Sequence, residues 1–96
     1  MRTVINSNTV VVAIQNQVFS NLGDEAVILH LGKGAYYGLN DVGALVWNLL
    51  QKPIEVQDIV DHVITRYEVG KQKCLADTLE LLNRLLRAKL IEIRSE

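Results

Sequence analysis

Ninety-six residues, 49% hydrophobic and 22% charged, describe one globular domain, since a chain of this size buries about 60 to 65% of its unfolded surface in a single core and has no room for a second. No apolar run nears the ~20 residues that span a bilayer, and the longest near the start, residues 10–14, is too short for a signal-peptide core, so a soluble, cytoplasmic protein without membrane contact is expected. A net charge of −1 excludes a general attraction to nucleic acid, and the single cysteine, Cys74, excludes an internal disulfide.

Residues 1–8 include Asn6, Ser7 and Asn8 and are expected to be loosely held. From Thr9 the β-branched run Val10, Val11, Val12 and Ile14 reads as strand, and Val18 and Phe19 carry extended character toward Gly23. Whether residues 9–21 form one bent strand or two short ones stays open. Gly23-Asp24 fits a two-residue hairpin turn with positive φ at the glycine. Residues 26–31 (AVILHL) are then the second arm and the central strand, and Gly32-Lys33-Gly34 turns the chain into a third strand, residues 35–39. Alternation places Ala35, Tyr37 and Leu39 on one side of it and Tyr36 and Gly38 on the other. Leu39 immediately precedes a helix that must pack on the sheet, so the Tyr37 side faces inward.

The period changes within residues 35–50 (AYYGLNDVGALVWNLL): after the strand formers Tyr36 and Tyr37, apolar residues recur from Val42 at Leu45, Val46, Leu49 and Leu50, which is helical spacing. Asn40 is placed to cap the first turn and Asp41 to meet the positive end of the helix dipole. The helix, with Trp47 assigned to the core, ends before Pro53 because the residue preceding proline avoids helical angles. Residues 55–67 form an amphipathic second helix with Val56, Ile59, Val60, Val63 and Ile64 on one face. After a break at Gly70, a third helix over residues 73–88 carries two apolar stripes: Leu75, Leu79, Leu82 and Leu86 on one, Cys74, Thr78, Leu81 and Leu85 on the other, roughly 90° away. The first two helices can cover one stripe; the other meets the sheet, a second subunit or a ligand. Residues 90–93 (LIEI) suit a short closing strand in the position of a wing. The expected fold is α+β, winged helix-turn-helix-like: a three-stranded antiparallel meander followed by three helices.

Catalytic chemistry is not apparent in this inventory. His30 and His62 lie in no motif with Cys74 or an acidic residue, and Gly32-Lys33-Gly34-Ala35 lacks the spacing of a phosphate-binding loop. Asp58 and Asp61 are helical neighbours with nothing apolar around them to raise a pKa. Neither enzyme activity nor a cofactor or metal is expected. Recognition is the remaining chemistry. A meander has edges, and its third strand carries Tyr36 and Tyr37 without a proline or an inward charge. If that edge is open and the second stripe of the last helix faces it, the two form a groove with a hydrogen-bonding rail and apolar pockets, suited to an extended peptide; the alternative is an edge covered by the chain's own termini and a stripe that is plain core.

The strand-into-helix segment GAYYGLNDVGALVWNLL, followed by PIEVQDIVDHVITRYEV and a helix ending LLRAKLIEI, resembles the PqqD-like family of RiPP recognition elements, and among these the stand-alone leader-binding proteins of lasso-peptide gene clusters. The resemblance covers about residues 18–93, and Tyr36-Tyr37-Gly38-Leu39-Asn40 with Gly43 and Trp47 is its most specific part. It implies a domain that binds the leader segment of a ribosomally made precursor peptide, as a strand against the third strand and packed on the third helix. The rail would be the backbone of Tyr36, Tyr37 and Gly38, and the pocket wall Cys74, Thr78, Leu81 and Leu85. Asp77 and Glu80 at the rim would either pair with basic leader residues or form a solvated face. The implied partners are a cysteine leader peptidase of transglutaminase-like type and an ATP-dependent macrocyclase.

Two rivals stand beside this reading. A DNA-binding winged-helix regulator would use the last helix for recognition, but residues 71–96 hold six basic and four acidic residues, a net of +2, and that helix presents leucines rather than a basic face. A homodimer would use the leucine stripe as its interface.

Overall fold

A computed structural model describes residues 5–15, 17–23 and 25–94 of the chain. In chain order the elements are β1 (Val10–Ala13), β2 (Gln17–Leu22), β3 (Glu25–His30), β4 (Ala35–Leu39), α1 (Asp41–Leu49), β5 (Ile54–Glu55), α2 (Val56–Arg66), α3 (Lys71–Arg87) and β6 (Ile91–Ile93). Strands β2, β3 and β4 make the antiparallel meander, in that order, with β3 central. Gly23, at φ +69°, supplies the positive angle that the two-residue connection between paired Leu22 and Glu25 requires; its neighbour Asp24 lies outside the described residues. The second turn closes through the amides of Lys33 and Gly34, which donate to the His30 carbonyl at 3.2 and 2.7 Å. His30 Nδ1 also accepts from Lys33 N at 3.2 Å, so this histidine braces a turn.

The alternation expected in the third strand holds in β4. Phe19, Ile28 and Tyr37 form one cross-strand row, and Val18, Leu29 and Tyr36 another on the opposite face. Ile28 is fully buried and Phe19 stacks on Trp47 with ring centroids 6.3 Å apart, whereas Val18 and Tyr36 are exposed. The joint into α1 forms as its chemistry dictates: Asn40 Oδ1 accepts from Gly43 N at 2.8 Å and Asp41 Oδ1 from Val42 N at 2.9 Å. Helix and strand approach closely there, since a Cβ on Gly43 would stand 3.2 Å from Leu39 Cβ. Trp47, 2% exposed, lies in the core with Leu50, Ile59, Leu82 and Leu90.

The run over residues 9–21 resolves into two strands in different sheets. β1 is the middle of a second antiparallel sheet, pairing Val10 and Val11 with Glu55 and Ile54 of β5, and Val11, Val12 and Ala13 with Ile93, Glu92 and Ile91 of β6. The closing strand foreseen at the end of the chain is β6. The expectation that residues 1–8 are loosely held is corrected over residues 5–8; residues 1–4 lie outside those described. Ile5 is 5% exposed and joins the core, and the turn after it is tied by Asn6 N donating to Thr9 Oγ1 and Thr9 N to the Asn6 carbonyl, at 3.0 and 3.1 Å. An apolar anchor outweighs three polar neighbours, of which Asn6 serves the turn through its side chain, Oδ1 accepting from Asn8 N at 2.8 Å.

Helix α2 turns Val56, Ile59, Val60 and Val63 inward. Helix α3 begins at Lys71, two residues before the expected start, directly after Gly70, and stops in a Schellman arrangement: Leu90 N donates to the Leu85 carbonyl and Lys89 N to that of Leu86, both at 3.0 Å, with Lys89 at φ +63°.

Candidate functional site

Among the described residues β4 is an outer strand of its sheet and pairs with β3 alone, so one side of its backbone has no strand partner among them. Its residues share a cleft of about 340 Å³ with α3, lined by Tyr36, Tyr37, Gly38 and Leu39 on the sheet side and by Leu81, Arg84 and Leu85 on the helix side. A second cleft of about 260 Å³ continues toward the start of α3, where Cys74, Asp77, Thr78 and Leu81 face Val42 and Val46 of α1. Val63, Tyr67, Glu68 and Val69, from the end of α2 and the segment before α3, close its far side. Leu81 belongs to both clefts and joins them into one groove.

Eight of the nine residues singled out from the sequence line this groove, in unequal ways. Tyr36, 72% exposed, points to the outer face of the sheet, so its contribution to the groove is chiefly the strand edge. Tyr37 is half-buried on the inner face and Gly38 is exposed beside it. Cys74, Thr78 and Leu85 are more enclosed than an open wall would be, each 5% exposed or less, and form the floor. The Cys74 thiol sits 3.9 Å from Thr78 Oγ1 one turn along the helix. Leu81 is half-buried, which leaves it the residue of this stripe with apolar surface to offer. Asp77 stands at the rim, 3.2 Å from Lys73 Nζ in an exposed ion pair. Glu80 is exposed and lines neither cleft.

The first leucine stripe splits in the same manner: Leu82 is fully buried, while Leu75, Leu79 and Leu86 are half-buried and packed on the core. Besides Leu39 and Val63, sequence reasoning missed Val42, Val46, Tyr67, Val69, Glu68 and Arg84 as groove residues. Arg84 carries a local signal, lying three residues after Leu81 and one before Leu85 and so on the same side of the helix. The other five come from elements whose approach to α3 depends on tertiary packing.

The groove offers backbone donors and acceptors along one wall, apolar side chains along the other, and charge only at its margins. Among the described residues no group of three His, Cys, Asp or Glu side chains is arranged to hold a metal ion, and no helix is long and apolar enough to cross a membrane.

A two-sheet α+β domain with a meander edge set against its last helix is thus the class of protein that fold and site define. The chain matches the family described as Coenzyme PQQ synthesis protein D (PqqD) over residues 25–91 and belongs to this PqqD-like family of RiPP recognition elements. Among solved structures it is similar to TbiB1 in complex with the TbiA(beta) leader peptide, at 30% identity and a TM-score of 0.79, the likeness covering 88% of this chain and 99% of that one. No curated protein sequence matches the chain. The matched residues run from the start of β3 to the start of β6 and so contain the whole groove.

Proposed function

We propose that this protein binds the leader segment of a ribosomally synthesised precursor peptide, which adds as a strand to β4 and packs its side chains on α3. The observation that carries the reading is the edge of β4, without a strand partner among the described residues, beside the cleft floored by Leu85 and entered past Leu81. Family membership supports it, as does the similarity to TbiB1, itself solved with a leader peptide. Each hydrogen bond of an added strand contributes only ~0.5 to 1.5 kcal/mol net of water, so the two clefts supply much of the affinity and nearly all of the side-chain selectivity. After the leader's ordering entropy is subtracted, a Kd in the nanomolar to low micromolar range follows, on the order of −8 to −12 kcal/mol.

In this role the domain performs no turnover. It presents the bound precursor, in the cytoplasm, to a separate cysteine leader peptidase of transglutaminase-like type and an ATP-dependent macrocyclase of lasso-peptide biosynthesis. Calorimetric titration with the precursor encoded beside this gene, full-length and leader-only, is the test. Equal affinity for the two is expected, because recognition resides in the leader. Binding that requires the core segment, or no binding to either, contradicts the proposal.

A further inference from the structure

The groove is not electrically uniform along its length. Its deeper end carries a net of −1, with Glu68 and Asp77 at the rim and Lys73 paired to Asp77. At the other end, α3 closes with Arg84, Arg87 and Lys89 against the turn that enters β4. Lys33 of that turn directs its ammonium to the Ala88 carbonyl at 3.5 Å. All four cations are exposed, and among the described residues none makes an ion pair. Glu80, one helical turn before Arg84, does not hold it. The two segments that build this end, residues 26–40 and 81–91, contain no Asp or Glu at all. The bland role of such cations is to complement the negative end of the α3 dipole, but that role does not require Arg84 to line the cleft beside β4, as it does.

Direction follows from topology. The start of α3 lies by Val42 and Val46, beyond the Leu39 end of β4, and its last turn lies by Lys33, before Ala35; α3 and β4 therefore run in opposite senses. Every strand pair among the described residues is antiparallel, the pairing that is also somewhat more stable per residue. A strand added to β4 in this way runs with α3, from the deeper cleft toward the basic end. Between Cys74 and Arg87 the helix advances ~20 Å, which an extended peptide covers in about six residues. Resting on the reading of the groove as a leader site, we propose that it selects peptides in one charge order. Acidic residues stand about four to six positions C-terminal to the side chain that enters the deeper cleft, where they meet Lys33, Arg84, Arg87 and Lys89.

The test is selection from a displayed library of random peptides of about 15 residues, long enough to cover the groove with flanks, on the full chain and on its Arg84→Glu and Leu81→Asp variants. Wild type enriches peptides with an apolar stretch followed by acidic residues. Arg84→Glu, a surface change expected to leave the melting temperature within a few degrees, binds those peptides ~5- to 20-fold more weakly, as one exposed attraction becomes a repulsion within a cluster. Moving the acids to the N-terminal side of the same peptide produces a similar loss on wild type. Peptides that need Leu81 yet show no charge order, show the reverse order, or bind Arg84→Glu equally well overturn the charge proposal and leave the groove reading in place. Peptides that Leu81→Asp retains, or no enrichment at all, overturn the groove reading itself.

Discussion

Replacing Leu81 by aspartate separates binding from folding because Leu81 is the half-buried member of a stripe whose other members are enclosed. Full burial of a leucine contributes about 1.5 to 3 kcal/mol. Half of that already stabilises the fold, so Leu81→Asp costs ~1 kcal/mol and lowers the melting temperature by about 4 to 8 °C. The other half is realised when a peptide covers the groove. The variant forfeits that ~1 kcal/mol and places a carboxylate where the incoming chain would desolvate it, a further ~1 to 3 kcal/mol. The sum of about 2 to 4 kcal/mol weakens leader binding by ~30- to 1000-fold. Circular dichroism melts and leader titrations on Leu81→Asp, with volume-conserving Leu81→Met as control, measure both quantities. A folded Leu81→Asp variant that binds leader with unchanged affinity refutes the assignment of Leu81 to the binding surface.

Trp47→Ala is expected to destabilise the whole domain rather than impair binding selectively. Trp47 is 2% exposed and stacked on Phe19, and such truncations cost ~3 to 5 kcal/mol against a total stability of about 5 to 14 kcal/mol for a chain of this size; a melt close to wild type would contradict its core role. Asn40→Ala removes the acceptor held by Gly43 N and should lower stability by ~1 kcal/mol, read as a shifted denaturant midpoint at constant slope. Lys89→Gly should raise stability by ~0.5 to 1 kcal/mol, because Lys89 occupies the left-handed position that ends α3; a lower midpoint would show that its side chain contributes more than its backbone costs. A DNA duplex should bind weakly and without sequence preference, and tight, steeply salt-dependent binding would favour the regulator reading.

The joint at Asn40 was legible because three independent signals coincide there: the period changes, a capping side chain stands at the change, and Asp41 follows where the helix dipole favours an anion. The edge position of β4 followed from counting strands. The second sheet was not legible. Its β5 strand is two residues long and pairs Ile54 with Val11 across more than forty positions of sequence, and nothing local marks Ile54 and Glu55 as extended beyond the proline before them. Helical winding placed Cys74, Thr78, Leu81 and Leu85 on one face, yet angle alone does not tell depth. Cys74 and Thr78 are enclosed because α1 and the segment before α3 close over them, and Leu81 is only half-buried where the two clefts meet. Glu80 was drawn to the rim by sequence proximity to Leu81, one residue and 100° away on the helix.

Amide hydrogen exchange along the two outer strands of the meander, with and without leader peptide, tests strand addition most directly. On saturation with leader, slowed exchange is expected at the amides of Tyr36–Leu39 that do not pair with β3, while the β2 edge, equally without a strand partner among the described residues, keeps its rates. Unchanged exchange along β4 in the saturated complex, or protection that develops along β2 instead, would contradict the binding mode.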